Sequence, residues 1–144
     1  MSFKHILVAT DFSDCSARAL DLGVELAQRF DAQLTLVHAW EMPSLGYGAA
    51  LFFPGDMLTP LEQAAQSQLN GATNALQQRF PNAKSVLSAG FAPDEIIATA
   101  ASVHADLIVL GTHGRRGVSH ALLGSVAERV VRMSRVPVLT VRGT

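Results

Sequence analysis

Residues 111–125, with the sequence GTHGRRGVSHALLGS, decide how this chain is expected to fold and what it is expected to bind. They follow the apolar run Asp106–Leu110, which has the pattern of a buried strand, and precede residues 126–132, which have the pattern of a helix. Amides at a helix N-terminus lack intrahelical partners and carry partial positive charge, so they favour an anion. The glycines of the segment would let backbone approach a ligand closely. The segment therefore predicts a phosphate site between a strand and a helix.

The composition limits the classes of protein to which the chain can belong. Its 144 residues suit one domain, and the 49% of hydrophobic residues against 16% of charged ones indicate a large buried core. A net charge of −1 offers no general attraction to nucleic acid, and no apolar run approaches the ~18 residues of a membrane span. No signal peptide is expected, because the N-terminus leads directly into a strand. The single cysteine, Cys15, excludes an internal disulfide and suits a reducing compartment.

Strand and helix patterns alternate along the whole chain. Strands are predicted at 3–10, 34–38, 84–89, 106–110 and 136–141, and helices at 14–30, 59–80, 93–104 and 124–134. This alternation predicts an α/β fold in which helices cover both faces of a parallel sheet. If the strand order is 3-2-1-4-5, the order reverses between the first and fourth strands, where such sheets bind ligands. Thr10–Asp11 and Gly111–Thr112 would then meet at one crevice.

Two helices carry more detailed predictions. Ser13 is expected to cap the first helix, whose buried stripe is predicted as Ala17, Leu20, Val24 and Ala27. Thr59 is expected to cap the second helix, with Glu62 completing a capping box.

The predicted crevice suits a phosphate group on its helix side. Phosphates would lie on the N–H groups of Gly124, Ser125 and Val126, with the Ser125 hydroxyl as a further donor. Arg115 or Arg116 would add positive charge, unless both are solvated loop residues. The alternative is a turn whose glycines serve packing alone.

The other side of the crevice suits a nucleoside. The Asp11 carboxylate would accept hydrogen bonds from a ribose hydroxyl or a base amine, unless it only caps the first helix. Main chain at His38–Ala39 would line the base. Neither the P-loop pattern nor Gly-x-Gly-x-x-Gly after the first strand is present, so the nucleotide site would be of another kind.

Two further segments suggest contacts with proteins. The 40–58 segment is long, rich in glycine and proline, and apolar; it would cover an exposed helix or sheet edge, or form a lid or partner surface. The last strand, Val136–Val141, lacks charge, and we expect it to pair with a second copy as a homodimer. The alternative is an edge that is exposed or capped by the chain's own N-terminus.

The spacing of Gly111, Gly114, Gly124 and Ser125 resembles the ATP-binding motif of the universal stress protein family. Four other segments are similar to that family: ILVATDFS at 6–13, LVH at 36–38, DLIVLGTHG at 106–114 and VPVLTV at 136–141. The resemblance covers nearly the whole chain. It implies a single-domain, Rossmann-like three-layer fold, a cytoplasmic homodimer, and bound ATP, which we expect to carry Mg²⁺.

The resemblance also implies which residues contact the nucleotide. Those near the adenosine would be Ala9, Thr10, Asp11 and, at the adenine, Ala39; those around the ribose and phosphates would be Leu110, Gly111, Gly114, Gly124, Ser125 and Val126. Arg115 is expected to reach a phosphate. His113 would either contact phosphate or hydrogen-bond within its own loop.

The expected function is that of an ATP-dependent sensor or regulator in a stress response. Hydrolysis should be slow at most, because no second acidic residue accompanies Asp11 near the glycine-containing loop. One alternative is an enzyme that splits ATP at the α-phosphate, although this would need a further substrate domain. Another is an interaction module without nucleotide, in which the 40–58 segment binds a partner.

Overall fold

The architecture is a parallel sheet between two layers of helices. A computed structural model of the chain describes residues 1–41, 56, 58–113 and 123–143. In chain order the elements are β1 His5–Ala9, α1 Asp14–Phe30, β2 Gln33–Trp40, α2 Leu58–Arg79, β3 Lys84–Ala89, α3 Ala92–Ser102, β4 Leu107–Gly111, α4 Ser125–Met133 and β5 Val138–Val141. All neighbouring strands pair in parallel, in the order β3-β2-β1-β4-β5. The predicted α/β fold and its strand order are confirmed.

Successive residues of β2 show how the two faces of the sheet are covered. Leu36 belongs to a buried cluster that includes Leu69 of α2, whereas Val37 belongs to a cluster with Ile96 of α3 and Val130 of α4. Side chains alternate between faces along a strand, so α1 and α2 cover one face while α3 and α4 cover the other. A strand buried on both faces requires the continuous apolar run that the sequence shows.

The two edges of the sheet are β3 and β5, whose residues are mostly half-buried. The low apolar content of Lys84–Ala89 suits the edge position of β3, where one side of the strand lacks a neighbour. Pro137 immediately precedes β5, where its missing N–H removes no hydrogen bond from inside the strand. In the described ranges, no helix is both long enough and apolar enough to cross a bilayer.

The predicted buried stripe of α1 is partly wrong. Ala17 is exposed and Leu20 is only half-buried. The residues that face the sheet are Cys15, Ser16, Ala19, Gly23, Val24 and Ala27. Most of these are small, and a Cβ placed on Gly23 would overlap Val8 Cγ2. Small residues therefore set this face because they let the helix axis approach β1 closely.

The start of α2 also differs from the prediction. Asp56 Oδ1 accepts hydrogen bonds from the N–H groups of Leu58 and Thr59, at 3.1 and 3.0 Å, and the Thr59 hydroxyl donates to the same carboxylate. The Thr59 hydroxyl hydrogen bond is the main cause that lowers the pKa of Asp56. Thr59 lies within the first turn and is not its cap, because the carboxylate is the stronger acceptor for the exposed amides.

Candidate functional site

The carboxyl ends of β1 and β4 bring together two stretches that are far apart in sequence. The strands are paired neighbours, with Val8 opposite Val109. The first turn of α1 packs against the end of β4, since a Cβ on Gly111 would lie 2.8 Å from Cys15 Sγ. The crevice predicted between the turn after β1 and the loop after β4 therefore lies at the carboxyl ends of these central strands, where the strand order reverses.

Asp11 stands in the turn after β1, half-buried and held by Ser13. Asp11 Oδ1 accepts from the Ser13 N–H at 3.0 Å and from the Ser13 hydroxyl at 2.5 Å. Ser13 is the N-cap of α1, and its side chain accepts from the Ser16 N–H at 3.2 Å. The predicted cap at Ser13 is confirmed. Asp11 is thus not the cap itself; its carboxylate orients the cap while lying at the predicted crevice.

The same turn is fixed from the side of β2 by His38. Its Nδ1 donates to the Thr10 carbonyl at 2.8 Å. Phe12 adopts a left-handed backbone conformation, with φ of 63°, and its ring centroid lies 4.4 Å from that of His38. The Phe12 N–H donates to Thr10 Oγ1 at 3.0 Å. A non-glycine residue at positive φ costs of order 1 kcal/mol, so these contacts maintain a strained turn.

Thr112, the residue directly after β4, links the cap of α4 to the end of β5. The Gly124 N–H donates to the Thr112 carbonyl at 2.5 Å, and the Thr112 N–H donates to the Val141 carbonyl at 2.8 Å. The Gly124 amide is therefore hydrogen-bonded within the protein in this structure, and its contact with a phosphate stays a prediction.

Three amides at the start of α4 remain oriented toward the crevice end of the helix. The first intrahelical bond runs from Glu128 N–H to the Gly124 carbonyl at 2.9 Å, so the donors before it are those of Ser125, Val126 and Ala127. Gly124 is the N-cap, and no side chain caps the helix among the described residues. An uncapped helix N-terminus at a strand end favours an anion.

Gly111 and Gly124 also have reasons within the protein to lack a side chain. A Cβ on Gly124 would lie 2.7 Å from the Thr112 carbonyl oxygen, and one on Gly111 would crowd both the thiol and the backbone of Cys15. Packing alone therefore requires glycine at both positions. Their spacing does not by itself distinguish a phosphate loop from a tightly packed junction.

The burial of the other predicted residues limits how each can contact a ligand. Ala9 and Leu110 are buried in the cluster that faces α3 and α4, so only their main chain is available. Val126 is half-buried against the same cluster, whereas Ser125 is exposed at the first position of α4. His113 Nδ1 lies 2.9 Å from its neighbour's hydroxyl, Thr112 Oγ1, which is the contact within the loop that one of its two interpretations predicted.

The main chain of Ala39 faces the side of β2 that carries β1. The Gln33 N–H donates to the Lys4 carbonyl, so odd-numbered residues of β2 direct their amides toward β1. Ala39 is odd-numbered and half-buried, and it lies beyond Ala9, where β1 ends. Its N–H and C=O are thus placed at the crevice as a neighbouring donor and acceptor.

The family of the chain follows from comparison with known proteins. The family model described as the universal stress protein family matches residues 2–142. This chain belongs to that family. Universal stress protein A homolog 1 of Coxiella burnetii is 33% identical over 143 residues, covering 98% of this chain and 97% of that protein.

Solved structures of universal stress proteins share the fold. The protein UspA from Lactobacillus plantarum aligns with a TM-score of 0.85 at 28% identity, covering 99% of both chains. A universal stress protein in complex with cAMP aligns with a TM-score of 0.70 at 25% identity, covering 98% of both chains. The sequence resemblance to the family is thereby confirmed.

Some residues of this universal stress protein that were predicted to contact a ligand or partner are not described by the structure, and others at the site were not predicted from the sequence. Gly114, Arg115, Arg116 and, within the 40–58 segment, residues 42–55 and 57 lie outside the described residues. The side chain of His38 and the carbonyl of Thr112 were missed, because their roles depend on strand register and chain return. Within the described ranges, no three His, Cys, Asp or Glu residues lie close enough to hold a metal ion.

Proposed function

We propose that this universal stress protein binds ATP in the crevice at the carboxyl ends of β1 and β4, as a nucleotide-dependent sensor or regulator in the cytoplasm. The observation that carries the proposal is the uncapped N-terminus of α4, with the amides of Ser125, Val126 and Ala127 at the carboxyl end of the sheet, where Asp11 also lies. Nucleotide binding by the related protein whose structure contains cAMP supports it.

The base is proposed to lie against Ala39. Adenine presents a ring-nitrogen acceptor beside an amino donor, which complements the N–H and C=O of one residue. Guanine presents the opposite order at the same edge, so its carbonyl would oppose the Ala39 carbonyl. Asp11 would accept a hydrogen bond from a ribose hydroxyl, and Thr10 and Gly111 would border the sugar through their main chains.

The phosphates are proposed to extend toward the amides of α4. Gly114, Arg115 and His113 remain proposed contacts of the phosphates. Mg²⁺ would arrive with the nucleotide and be held mainly by phosphate oxygens, since triphosphates bind it with few protein ligands. Hydrolysis is proposed to be slow at most, because Ser13 already engages Asp11 Oδ1, which weakens it as a general base.

A homodimer through 136–141 is also part of the proposal. The carbonyls of Pro137 and Val141 accept hydrogen bonds from β4, so odd-numbered residues of β5 face the sheet. The amides and carbonyls of Val138 and Thr140 therefore point away from β4, along the outer edge of β5. Such an edge pairs readily with a second strand. The 40–58 segment remains a proposed surface for a protein partner.

The first experiment identifies any nucleotide released by denaturing the purified protein, and then measures the affinities for ATP, ADP, cAMP and GTP by calorimetry. The decisive variant is Ser125→Asp. An acidic residue at the first helical position stabilises the helix by about 0.3–1 kcal/mol. The same carboxylate, roughly 6 Å from a phosphate, costs about 1–2 kcal/mol in binding, or roughly 5- to 30-fold in Kd.

Ser67→Asp is the matched control, because Ser67 is exposed on α2 and the change in charge is the same. We expect ATP to bind more weakly to Ser125→Asp but not to Ser67→Asp. The melting temperature of Ser125→Asp should equal or exceed that of the native protein. Absence of released nucleotide, together with no binding of Mg-ATP at millimolar concentration, would favour the interaction module. Equal ATP affinity in both variants would show that the phosphates do not bind at the N-terminus of α4.

A further inference from the structure

The pairing of β1 with β2 ends at Thr10, whose N–H is hydrogen-bonded to β2 while its carbonyl, within the part of the chain that the structure describes, is not bonded to the β2 backbone. Thr10 follows the pair Ala9 and Val37, and therefore lies opposite His38. The Thr10 N–H donates to the Val37 carbonyl at 2.9 Å, as a parallel ladder requires. The next rung would run from the Ala39 N–H to the Thr10 carbonyl. Among the described residues that rung is not formed.

A side chain occupies the place of the missing rung. His38 Nδ1 lies 2.8 Å from the Thr10 carbonyl oxygen. A carbonyl only accepts hydrogen bonds, so Nδ1 carries the proton in this contact. The same ring packs against Phe12, whose backbone is left-handed in the turn that follows. One imidazole therefore holds both the Thr10 carbonyl, directly after β1, and the turn that follows it.

We propose that His38 is a positioning residue that ends the β1–β2 ladder one rung early and so leaves the Ala39 N–H directed into the crevice. Without the imidazole donor, the Thr10 carbonyl would accept from the Ala39 N–H, and the two strands would stay paired there. The Ala39 N–H, which is proposed to bind the base, would then be hydrogen-bonded within the sheet. The inference deepens the proposed function, because it rests on Ala39 as the place where the base binds.

Two substitutions separate the hydrogen bond of His38 from its bulk. In His38→Asn, the amide nitrogen lies the same number of bonds from the backbone as Nδ1 and retains a donor. His38→Leu has the same branching without a donor. Loss of one hydrogen bond to the ligand is expected to weaken ATP binding about tenfold in His38→Leu. His38→Asn should stay within about threefold of the native protein.

Inorganic tripolyphosphate is the control ligand, because it lacks a base. Its affinity is expected to be the same in the native protein and in both variants. A parallel loss of tripolyphosphate and ATP binding in His38→Leu would show that the residue merely supports the fold. Equal ATP affinities of His38→Asn and His38→Leu would also overturn the inference, since the hydrogen bond would then have no role.

Amide hydrogen exchange of Ala39, measured by NMR without nucleotide, tests the inference independently of ligand binding. The Ala39 amide should exchange rapidly in the native protein and in His38→Asn, and should become protected in His38→Leu. Slow exchange in the native protein would overturn the inference. If exchange follows the expected pattern but no nucleotide binds, the proposed function fails while the early end of the ladder is upheld.

Discussion

The contact between Gly111 and Cys15 permits a quantitative test of why the motif begins with glycine. In Gly111→Ala, the new methyl group would lie 2.8 Å from Cys15 Sγ, 3.1 Å from the Cys15 carbonyl carbon and 3.2 Å from its Cβ. Forcing a methyl group into such a site costs about 1–3 kcal/mol. At roughly 4 °C per kcal/mol for a domain of this size, the melting temperature should fall by about 4–12 °C.

A double-mutant cycle tests whether this cost comes from the contact with Cys15. Its second substitution is Cys15→Ala, which removes the thiol but leaves the backbone and Cβ. Alone it should cost about 1 kcal/mol, because a small buried group and its hydrogen bond to the Val141 carbonyl are lost. In the double variant, the nearest obstacle to the methyl group introduced by Gly111→Ala is gone, so the loss should be at least ~1 kcal/mol smaller than the sum of the single losses. Relief should be incomplete, since the other two Cys15 atoms remain.

Urea unfolding of the nucleotide-free protein and its three variants measures the cycle. Additive losses, agreeing within about 0.5 kcal/mol, would refute the packing argument. A Gly111→Ala variant that keeps full stability but loses ATP binding would refute it more directly, because the glycine would then be needed only for the ligand.

Two further predictions concern the edge of the sheet and the response to pH. Thr140→Pro should yield monomers in sedimentation experiments with the fold retained, because it removes an outward amide of β5, whereas Leu139→Pro should unfold the edge; a dimeric Thr140→Pro protein would contradict the proposed pairing. Burial lowers the pKa of His5 below its usual 6.5, so its contribution to stability is present above that pH and is lost as pH falls below it. Between pH 7.5 and 5 the melting temperature should therefore fall further in the native protein than in His5→Gln, and equal slopes would exclude this role for His5.

The layered fold could be predicted because it depends on local patterns. The run Ile6–Ala9 is apolar on both sides, and such a strand needs a covering layer on each face. The predicted strand and helix boundaries lie within two residues of the observed ones for the same reason. Asp56 shows where local pattern was insufficient, since Thr59 satisfies every local rule for a cap but competes with a carboxylate three residues earlier.

The candidate site could be located from the sequence but not constructed from it. Its location follows from strand order, which places Asp11 and Gly111 at the carboxyl ends of two neighbouring central strands. Its construction depends on distances that no pattern encodes. The pattern predicts that Gly124 offers an amide to phosphate, yet that amide is bound to the Thr112 carbonyl. His38 has the pattern of an ordinary strand residue, yet its ring replaces a rung of the ladder, which only the register reveals.

The packing contacts of Gly111 and Gly124 show that glycine spacing in this family is not by itself a sign of nucleotide binding. Each glycine is required by a contact inside the protein, so natural selection for a stable junction between β4, α1 and α4 would preserve the spacing even without a ligand. Residues that can change without disturbing this junction must then decide whether nucleotide binds. Ser125 is such a residue, because it is exposed and an acid there favours the helix while opposing phosphate. Folding and binding can therefore be lost separately, and a relative with both glycines and an acid at this position should fold without ATP.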